Sequence, residues 1–505
     1  MWSFALTPPS IASKSISNNM SRASFNIKLV IKLLGFMLFL ESGALLLSGL
    51  VAWWYKGDDT LWFMISAGIT AASGLIFYFI GRQAKRTNIG KQEAYAFVTL
   101  VWLLFSFFGL LPYYLGGYIN TITNAFFETM SGFTTTGSSV MLNVEIMPHG
   151  ILFWRSLTQW MGGMGIILLS LAVMPLLNMG NVGLFAAEVP GPKVDKLQPR
   201  ISGTARILWA IYLILTAAEI VLLKFAGMGF FDAICHALTS MATGGFSTKN
   251  NSVAAFDSPA IEYIIIAFMF MAGTSFSLIY WAFTLNFKKL KHNDEFSWYV
   301  YVVVIVTVFL AFGLWHVESL PINDAFRTAL FQTVSFLTTT GFTTTTGYMH
   351  WEPLLWSVFL VIMLLGGMSG STAGGIKISR IIILVRQSKC ELKRQVHPNA
   401  VIPVRYNGKN LPDTIVASVF GFLVLYILLV FLGTAILLSE GLYLDDALGA
   451  VISSISNVGP GFGAFTQNYF IMPDLSTWTL SFLMLAGRLE LFTVILLLTP
   501  WFWRR

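Results

Sequence analysis

The sequence predicts an all-α polytopic membrane protein: two extra N-terminal spans, then four like-oriented repeats. Three observations carry this. The chain is 56% hydrophobic and only 11% charged, against about 25% charged in soluble domains. Apolar runs of about 20 residues, enough to cross a bilayer as helix, recur along it. A Thr/Gly-rich segment returns four times at matched places between those runs.

Ten spans are expected, at 28–53, 60–81, 94–115, 149–177, 203–226, 260–286, 297–316, 353–376, 413–438 and 477–501. Residues 1–27, with "TPPS" and "SISNN", are polar and unpatterned and read as a mobile tail, with Met20 as a second candidate start. They lack the apolar stretch of a signal peptide. Cys235 and Cys390 fall on opposite sides of the membrane in this topology, so neither a disulfide nor a thiolate metal site is expected.

Lys and Arg set the orientation. They gather in the tail (Lys14, Arg22, Lys28, Lys32) and after span two (Arg82, Lys85, Arg86, Lys91). Later alternate loops carry Lys193, Lys196, Arg200 and Arg206, then Lys288, Lys289 and Lys291, then the long basic loop 377–412. The intervening segments hold only Lys56, Lys249 and Arg327. Excess basic charge stays in the cytoplasm, so both termini are expected there. The formal charge of +7 is thereby explained by topology, and no nucleic-acid partner is expected.

The repeats are "NAFFETMSGFTTTGSS" from Asn124, "DAICHALTSMATGGFST" from Asp232, "TALFQTVSFLTTTGFTT" from Thr328 and "DALGAVISSISNVGPGFG" from Asp446. They align on Gly137, Gly245, Gly341 and Gly459. Twelve residues upstream stands an alanine (Ala125, Ala233, Ala329, Ala447), and six upstream a hydroxyl (Ser131, Thr239, Ser335, Ser453). In the following span a glycine recurs 26 or 28 residues on: Gly163, Gly273, Gly367 and Gly487. The chain therefore divides into an extra pair at 28–92 and repeats at 93–202, 203–296, 297–412 and 413–505. About 12 residues of helix-compatible sequence precede each Thr/Gly stretch, roughly 18 Å of helix. That enters a membrane without crossing it. Two full spans per unit keep all four copies in one orientation, which suits a pseudo-fourfold ring about an axis normal to the membrane.

Non-helical backbone at membrane depth must be buried in protein or line a water-filled cavity. Four such strands around one axis can present rings of carbonyls that replace the hydration shell of a cation. The candidate filter residues are Thr135, Thr136 and Gly137; Thr243, Gly244 and Gly245; Thr339, Thr340 and Gly341; and Asn457, Val458 and Gly459. No carboxylate lies among them, which favours a monovalent ion over Ca²⁺ or Mg²⁺. The half-helices aim their partly negative C-terminal ends at the axis, again favouring a cation.

"TTTGSS", "TGGFST", "TTTGFT" and "NVGPGFG" resemble the four filter sequences of the Trk/Ktr/HKT superfamily of potassium transporters, over about residues 28–505. The extra leading pair and the ending "AGRLELFT" resemble its TrkH-type bacterial members. The resemblance implies four membrane–pore–membrane units around a pseudo-fourfold central pore and a place in a bacterial inner membrane. It also implies K⁺ as the transported ion, a homodimer, and a separate cytoplasmic TrkA-type nucleotide-binding subunit docked on loop 377–412. No βαβ pattern or G-x-G-x-x-G for such a domain is present in this chain. In plant relatives a serine at the first filter position accompanies Na⁺ transport, so Gly137 argues for K⁺. Asn457 and Pro460 depart from the pattern of the other repeats, which weakens strict fourfold symmetry.

"LLGGMSGSTAGGIKISR" (Leu364–Arg380) interrupts the second span of repeat three. Gly366, Gly367, Gly370, Ser371, Thr372, Ala373, Gly374 and Gly375 read as a broken helix crossing below the filter, and the resemblance implies a gating loop there. A plain glycine kink is the alternative; a phosphate loop is not, since the spacing is wrong and no strand precedes it. Arg488 lies mid-span, where charge is costly and suggests function. It reads as a positive barrier modulated by that loop, or as half of a buried ion pair. Snorkelling or helix pairing suffices for Arg155, Glu41, Glu219 and Lys224, and a structural hydrogen bond for His236. The same fold coupling K⁺ to H⁺ or Na⁺ remains the alternative function. An enzyme would need a convergent nucleophile, base or metal cluster, and none is visible in the scattered histidines and isolated cysteines.

Overall fold

The structure, a computed structural model, describes residues 25–84, 89–165, 201–345 and 348–504. Most of the expected tail, residues 166–177 of the fourth span, and Lys85, Arg86, Lys193, Lys196 and Arg200 lie outside the described residues.

The extra pair is α1 (Ile27–Trp54) and α2 (Thr60–Gly81). They pack closely along one another, and α1 also meets the first repeat. Gly35 and Gly74 face each other, each without room for a Cβ, so the two backbones approach as small residues allow in membrane helix pairs. Repeat one comprises α3 (Lys91–Gly109), α4 (Leu111–Leu115), the short α5 (Ile122–Phe133) and α6 (His149–Gly163). Repeat two comprises α7 (Ile201–Phe225), the short α8 (Phe230–Met241), α9 (Pro259–Ala272), α10 (Phe276–Phe283) and α11 (Phe287–Lys291). Repeat three comprises α12 (Asp294–His316), the short α13 (Ile322–Leu337), α14 (Pro353–Leu364) and α15 (Ile378–Val396). A hairpin of β1 (Arg405–Tyr406) and β2 (Lys409–Asn410) follows. Repeat four comprises α16 (Asp413–Ser439), the short α17 (Leu444–Ser456), α18 (Asp474–Arg488), α19 (Phe492–Leu498) and α20 (Pro500–Trp503).

Each short helix is capped or charged where it starts. Thr121 accepts a hydrogen bond from the Asn124 amide at the start of α5. Asp232, Asp324, Asp445 and Asp446 lie in the first turns of the other three, where acids complement the helix dipole. From their alanines onward the four helices are almost wholly buried. The long helices instead expose apolar side chains, such as Phe79 on α2, Ile305 on α12 and Phe431 on α16, as a lipid-facing surface requires.

The ten uninterrupted spans are not all found. Among the described residues six helices are long and apolar enough to cross a membrane, or eight if two bent pairs each count as one span. The spans expected at 260–286, 353–376 and 477–501 all break, and α6 stops at Gly163. α9 and α10 meet at 108°, and α18 and α19 at 118°. The break was expected only in repeat three. Its physical cause is close packing at the glycines, which bring the outer halves of these helices against the ends of the short helices. A Cβ on Gly162 would collide with the Phe133 carbonyl, one on Gly487 with that of Ile455, and one on Gly273 with Thr338. The matched glycines thus split into two settings. Gly163 and Gly273 each face a tyrosine of the next repeat, Tyr212 and Tyr299, whereas Gly162, not Gly163, is the counterpart of Gly487.

Candidate functional site

The four short helices end in the same way. The amides of Thr135, Thr243, Thr339 and Asn457 bond to the carbonyls of Gly132, Ser240, Phe336 and Ser454. The next amides, of Thr136, Gly244, Thr340 and Val458, reach back to Ser131, Thr239, Ser335 and Ser453 at 2.8–2.9 Å. This pair of bonds is the Schellman closure, which needs a left-handed residue just past the helix, usually glycine. Here three β-branched threonines hold it, with φ of 53°, 52° and 56°, and Asn457 holds it with φ of 57°. Such a conformation costs a threonine on the order of 1–3 kcal/mol and persists only where surroundings enforce it. Asparagine tolerates it better, so the fourth repeat departs in residue type while repeating the backbone.

Two residues on, Gly137, Gly245, Gly341 and Gly459 are again at positive φ, between 76° and 110°. Their placement closes a ring. A Cβ on Gly137 would run into the carbonyl oxygen of Gly244, one on Gly245 into Thr340, one on Gly341 into Val458, and one on Gly459 into Thr136. Each strand therefore lies against the next, and the fourth returns to the first. Left-handed residues thus flank Thr136, Gly244, Thr340 and Val458 in the four strands. The helix C-termini add their partial negative charge.

Side chains lock the strands from behind, differently in each repeat. The Thr134 and Thr136 hydroxyls lie 2.8 Å apart, as do those of Thr338 and Thr340. Asn457 donates to the Thr136 hydroxyl and the Met484 carbonyl, both at 2.9 Å, tying strand four to strand one. In strand two Gly244 stands where the others carry a side chain, and the Gln159 amide fills that space. It donates to the Gly244 carbonyl at 2.6 Å and accepts from the Phe246 amide at 3.0 Å. Replacing Gly244 with alanine is expected to lose about 1–3 kcal/mol of stability by overpacking. Adding Gln159→Ala is expected to recover part of it, as coupling between contacting residues requires. Thermal unfolding of the detergent-purified variants reads this; strictly additive losses would refute the contact.

Outside the ring, Arg155 is fully engaged rather than snorkelling. It pairs with buried Glu128 at 2.8 Å and donates to Ser139 and to the Ser247 carbonyl at 3.1 Å. Glu128 also holds the Val140 amide at 2.8 Å, so one ion pair binds the outer turns of repeats one and two. His236, at the same helical position in repeat two, bonds the Ser247 hydroxyl at 2.9 Å and the Asp232 carbonyl at 2.8 Å, the structural role expected. Glu41 and Glu219 are fully buried. Lys224 lies in the last turn of α7.

The segment after α14 is not a kinked helix but a loop folded back under the ring. Its ends are tied by Gly366 amide to Ile376 carbonyl at 2.8 Å and Ile376 amide to Leu364 carbonyl at 3.0 Å. Gly367 packs on Gly273 and Ala373, the Gly370 carbonyl accepts from the Phe276 amide, and the Ser371 hydroxyl turns back to Met368. Thr372 donates to the carbonyls of Met241, at the end of α8, and Ala272, both at 3.2 Å. The Gly374 amide donates to the Thr339 hydroxyl at 2.7 Å, and a Cβ on Gly374 would strike the Ser456 carbonyl. Gly375, at φ 64°, turns the chain out toward α15. Buried Lys377 donates to the Ala373 carbonyl.

Glu490, two residues beyond Arg488, pairs with Arg380. Arg488 donates to the Thr372 carbonyl at 2.8 Å and to those of Gly162 and Gly163 at 2.7 and 3.0 Å. It thus caps the C-terminus of α6, where a cation is favourable, and fastens the loop to it. On the other side Glu295, at the start of α12, accepts from the amides of Ser369 at 2.7 Å and Ser379 at 3.1 Å, one at each end of the loop. Tyr406 of the hairpin donates to the same carboxylate at 3.1 Å. Gln159, Glu295 and Tyr406 gave no sign in the sequence, being single polar residues in otherwise ordinary segments.

Comparison with known proteins agrees with this architecture. Residues 67–503 match the family described as TrkH, cation transport protein. The Trk system potassium uptake protein TrkH of Salmonella typhimurium is 38% identical, over 95% of this chain and all of that one. TrkG of Escherichia coli, also a Trk system potassium uptake protein, is 33% identical over 95% of this chain and 99% of its own length. The crystal structure of the potassium transporter TrkH from Vibrio parahaemolyticus superposes with a TM-score of 0.86 at 36% identity, covering 95% of this chain and all of that one. This chain is therefore a member of the TrkH family of cation transport proteins.

Proposed function

We propose that this chain takes up potassium across the bacterial inner membrane, through a K⁺-selective filter made by the four strands and gated by the loop of repeat three. The closed ring carries the reading: four strands of one backbone shape, each glycine seated on the next strand's carbonyl. A ring of neutral carbonyls without carboxylate suits a monovalent ion that must bind and leave. The names of the relatives, potassium uptake proteins along their full length, support the choice of ion. The loop suits a gate because it reaches strands three and four and the end of α8 at once.

The reading includes a homodimer with cytoplasmic termini and a separate TrkA-type nucleotide-binding subunit acting on the segment 377–412. The chain of contacts from Tyr406 through Glu295 to both ends of the loop supports that segment as the point of control. Purified protein in liposomes tests the function. Rubidium and potassium uptake should greatly exceed sodium uptake, and equal sodium uptake would refute the selectivity.

A further inference from the structure

A cavity of about 110 Å³ opens directly outside the ring, with all four filter glycines in its wall. Two ionisable cations line it, Arg155 and Lys249, and among the described residues no Asp or Glu does. The Arg155 charge is compensated by Glu128 behind the wall. Lys249 forms no ion pair among the described residues. The acids bonded to the residues on either side of it hold other groups: Asp232 accepts from Thr248 at 2.6 Å, and Glu145 from the Asn250 amide at 3.1 Å. The cavity that a cation must cross to reach the ring thus carries in its wall one positive side chain with no ion-pair partner among the described residues.

The backbone that carries this side chain is held in place. The Lys249 amide donates to the Ser247 hydroxyl at 3.0 Å, and Ser247 is fixed by His236 and Arg155. On the other side, Asn250 accepts from the Val144 amide at 2.7 Å and donates to Asn143 at 2.9 Å. The lysine backbone is therefore clamped between the outer turns of repeats one and two.

Resting on the reading of the ring as a K⁺ filter, we infer that Lys249 is an electrostatic determinant of cation entry, lowering the occupancy of the outer mouth and making uptake depend on ionic strength. A unit charge about 10 Å from a monovalent ion in water changes its local concentration roughly twofold, and more where low-dielectric walls exclude water. Salt removes the effect, since the Debye length is about 10 Å at 0.1 M and about 3 Å at 1 M.

The test is rubidium uptake into liposomes by the full chain as wild type, Lys249→Gln, Lys249→Glu and Lys249→Arg, at low ionic strength and again with about 0.5 M of an impermeant salt. At low ionic strength half-saturating rubidium should fall about two- to fivefold in Lys249→Gln and further in Lys249→Glu. It should stay put in Lys249→Arg, with maximal rates nearly unchanged. The differences should fade in high salt. Unchanged half-saturation in both Lys249→Gln and Lys249→Glu overturns the inference, and so does a shift that high salt leaves intact. Failure of the filter reading is seen separately, as equal rubidium and sodium uptake by the wild type.

Discussion

Gly341→Ser is expected to cut the preference for K⁺ over Na⁺ by a factor of ten or more while the protein still reaches the membrane. Gly341 has a φ of 80°, and its added Cβ would fall on the Val458 carbonyl oxygen and near the Pro460 ring. Strand three must then withdraw from strand four, and the carbonyl cage loosens. Discrimination between K⁺ and Na⁺ depends on how many carbonyl dipoles surround the ion and how firmly. A loss of about 1.4 kcal/mol of differential binding is tenfold. Two controls separate this from general strain. Gly441 has a φ of 87° but open space around it, so Gly441→Ser should leave selectivity intact. Gly459 meets the neighbouring carbonyl less tightly than the other three glycines do, so Gly459→Ser should be the milder filter variant. Competitive uptake of rubidium and sodium reads all three, and equal selectivity in Gly341→Ser and wild type would remove Gly341 from the filter.

Deleting residues 370–374 is expected to raise basal flux about tenfold or more. The deletion removes the segment that donates from Thr372 to Met241 and from Gly374 to Thr339, and that Arg488 fastens to α6. The ring itself is closed by contacts between the four strands, so selectivity should largely survive. Glu295→Ala is the gentler version. It frees the Ser369 and Ser379 amides at the two ends of the loop and should raise flux by a smaller factor. Flux that falls or stays unchanged in both variants, with normal surface expression, would show that the loop is no barrier.

Much of this was legible in the sequence because the fold is repetitive. The alanine, hydroxyl and glycine in fixed register each have a structural cause: the buried short helix, the carbonyl that closes its end, and the carbonyl-packed strand. The hydroxyl positions marked by Ser131, Thr239, Ser335 and Ser453 all supply the backbone carbonyl that closes the helix, and the Ser335 and Ser453 hydroxyls also bond the Phe342 carbonyl and the Gly459 amide. What stayed hidden was whatever breaks the symmetry. Hydropathy reads 260–286 and 477–501 as single spans because composition is blind to a 108° or 118° bend. Gln159 is a lone amide in an apolar helix, and nothing local reveals that it replaces a side chain missing at Gly244 more than eighty residues away. Arg488 was visible as an intramembrane charge, but its three carbonyl partners come from two other repeats.

On this reading a bare monovalent cation rests among the carbonyls of these four strands. Diffraction from crystals soaked in thallium or rubidium tests it most directly. Anomalous peaks are expected on the axis between Thr136, Gly244, Thr340 and Val458, weakened by competing potassium and not by sodium. Peaks confined to other parts of the molecule, or displaced equally by sodium, would contradict it.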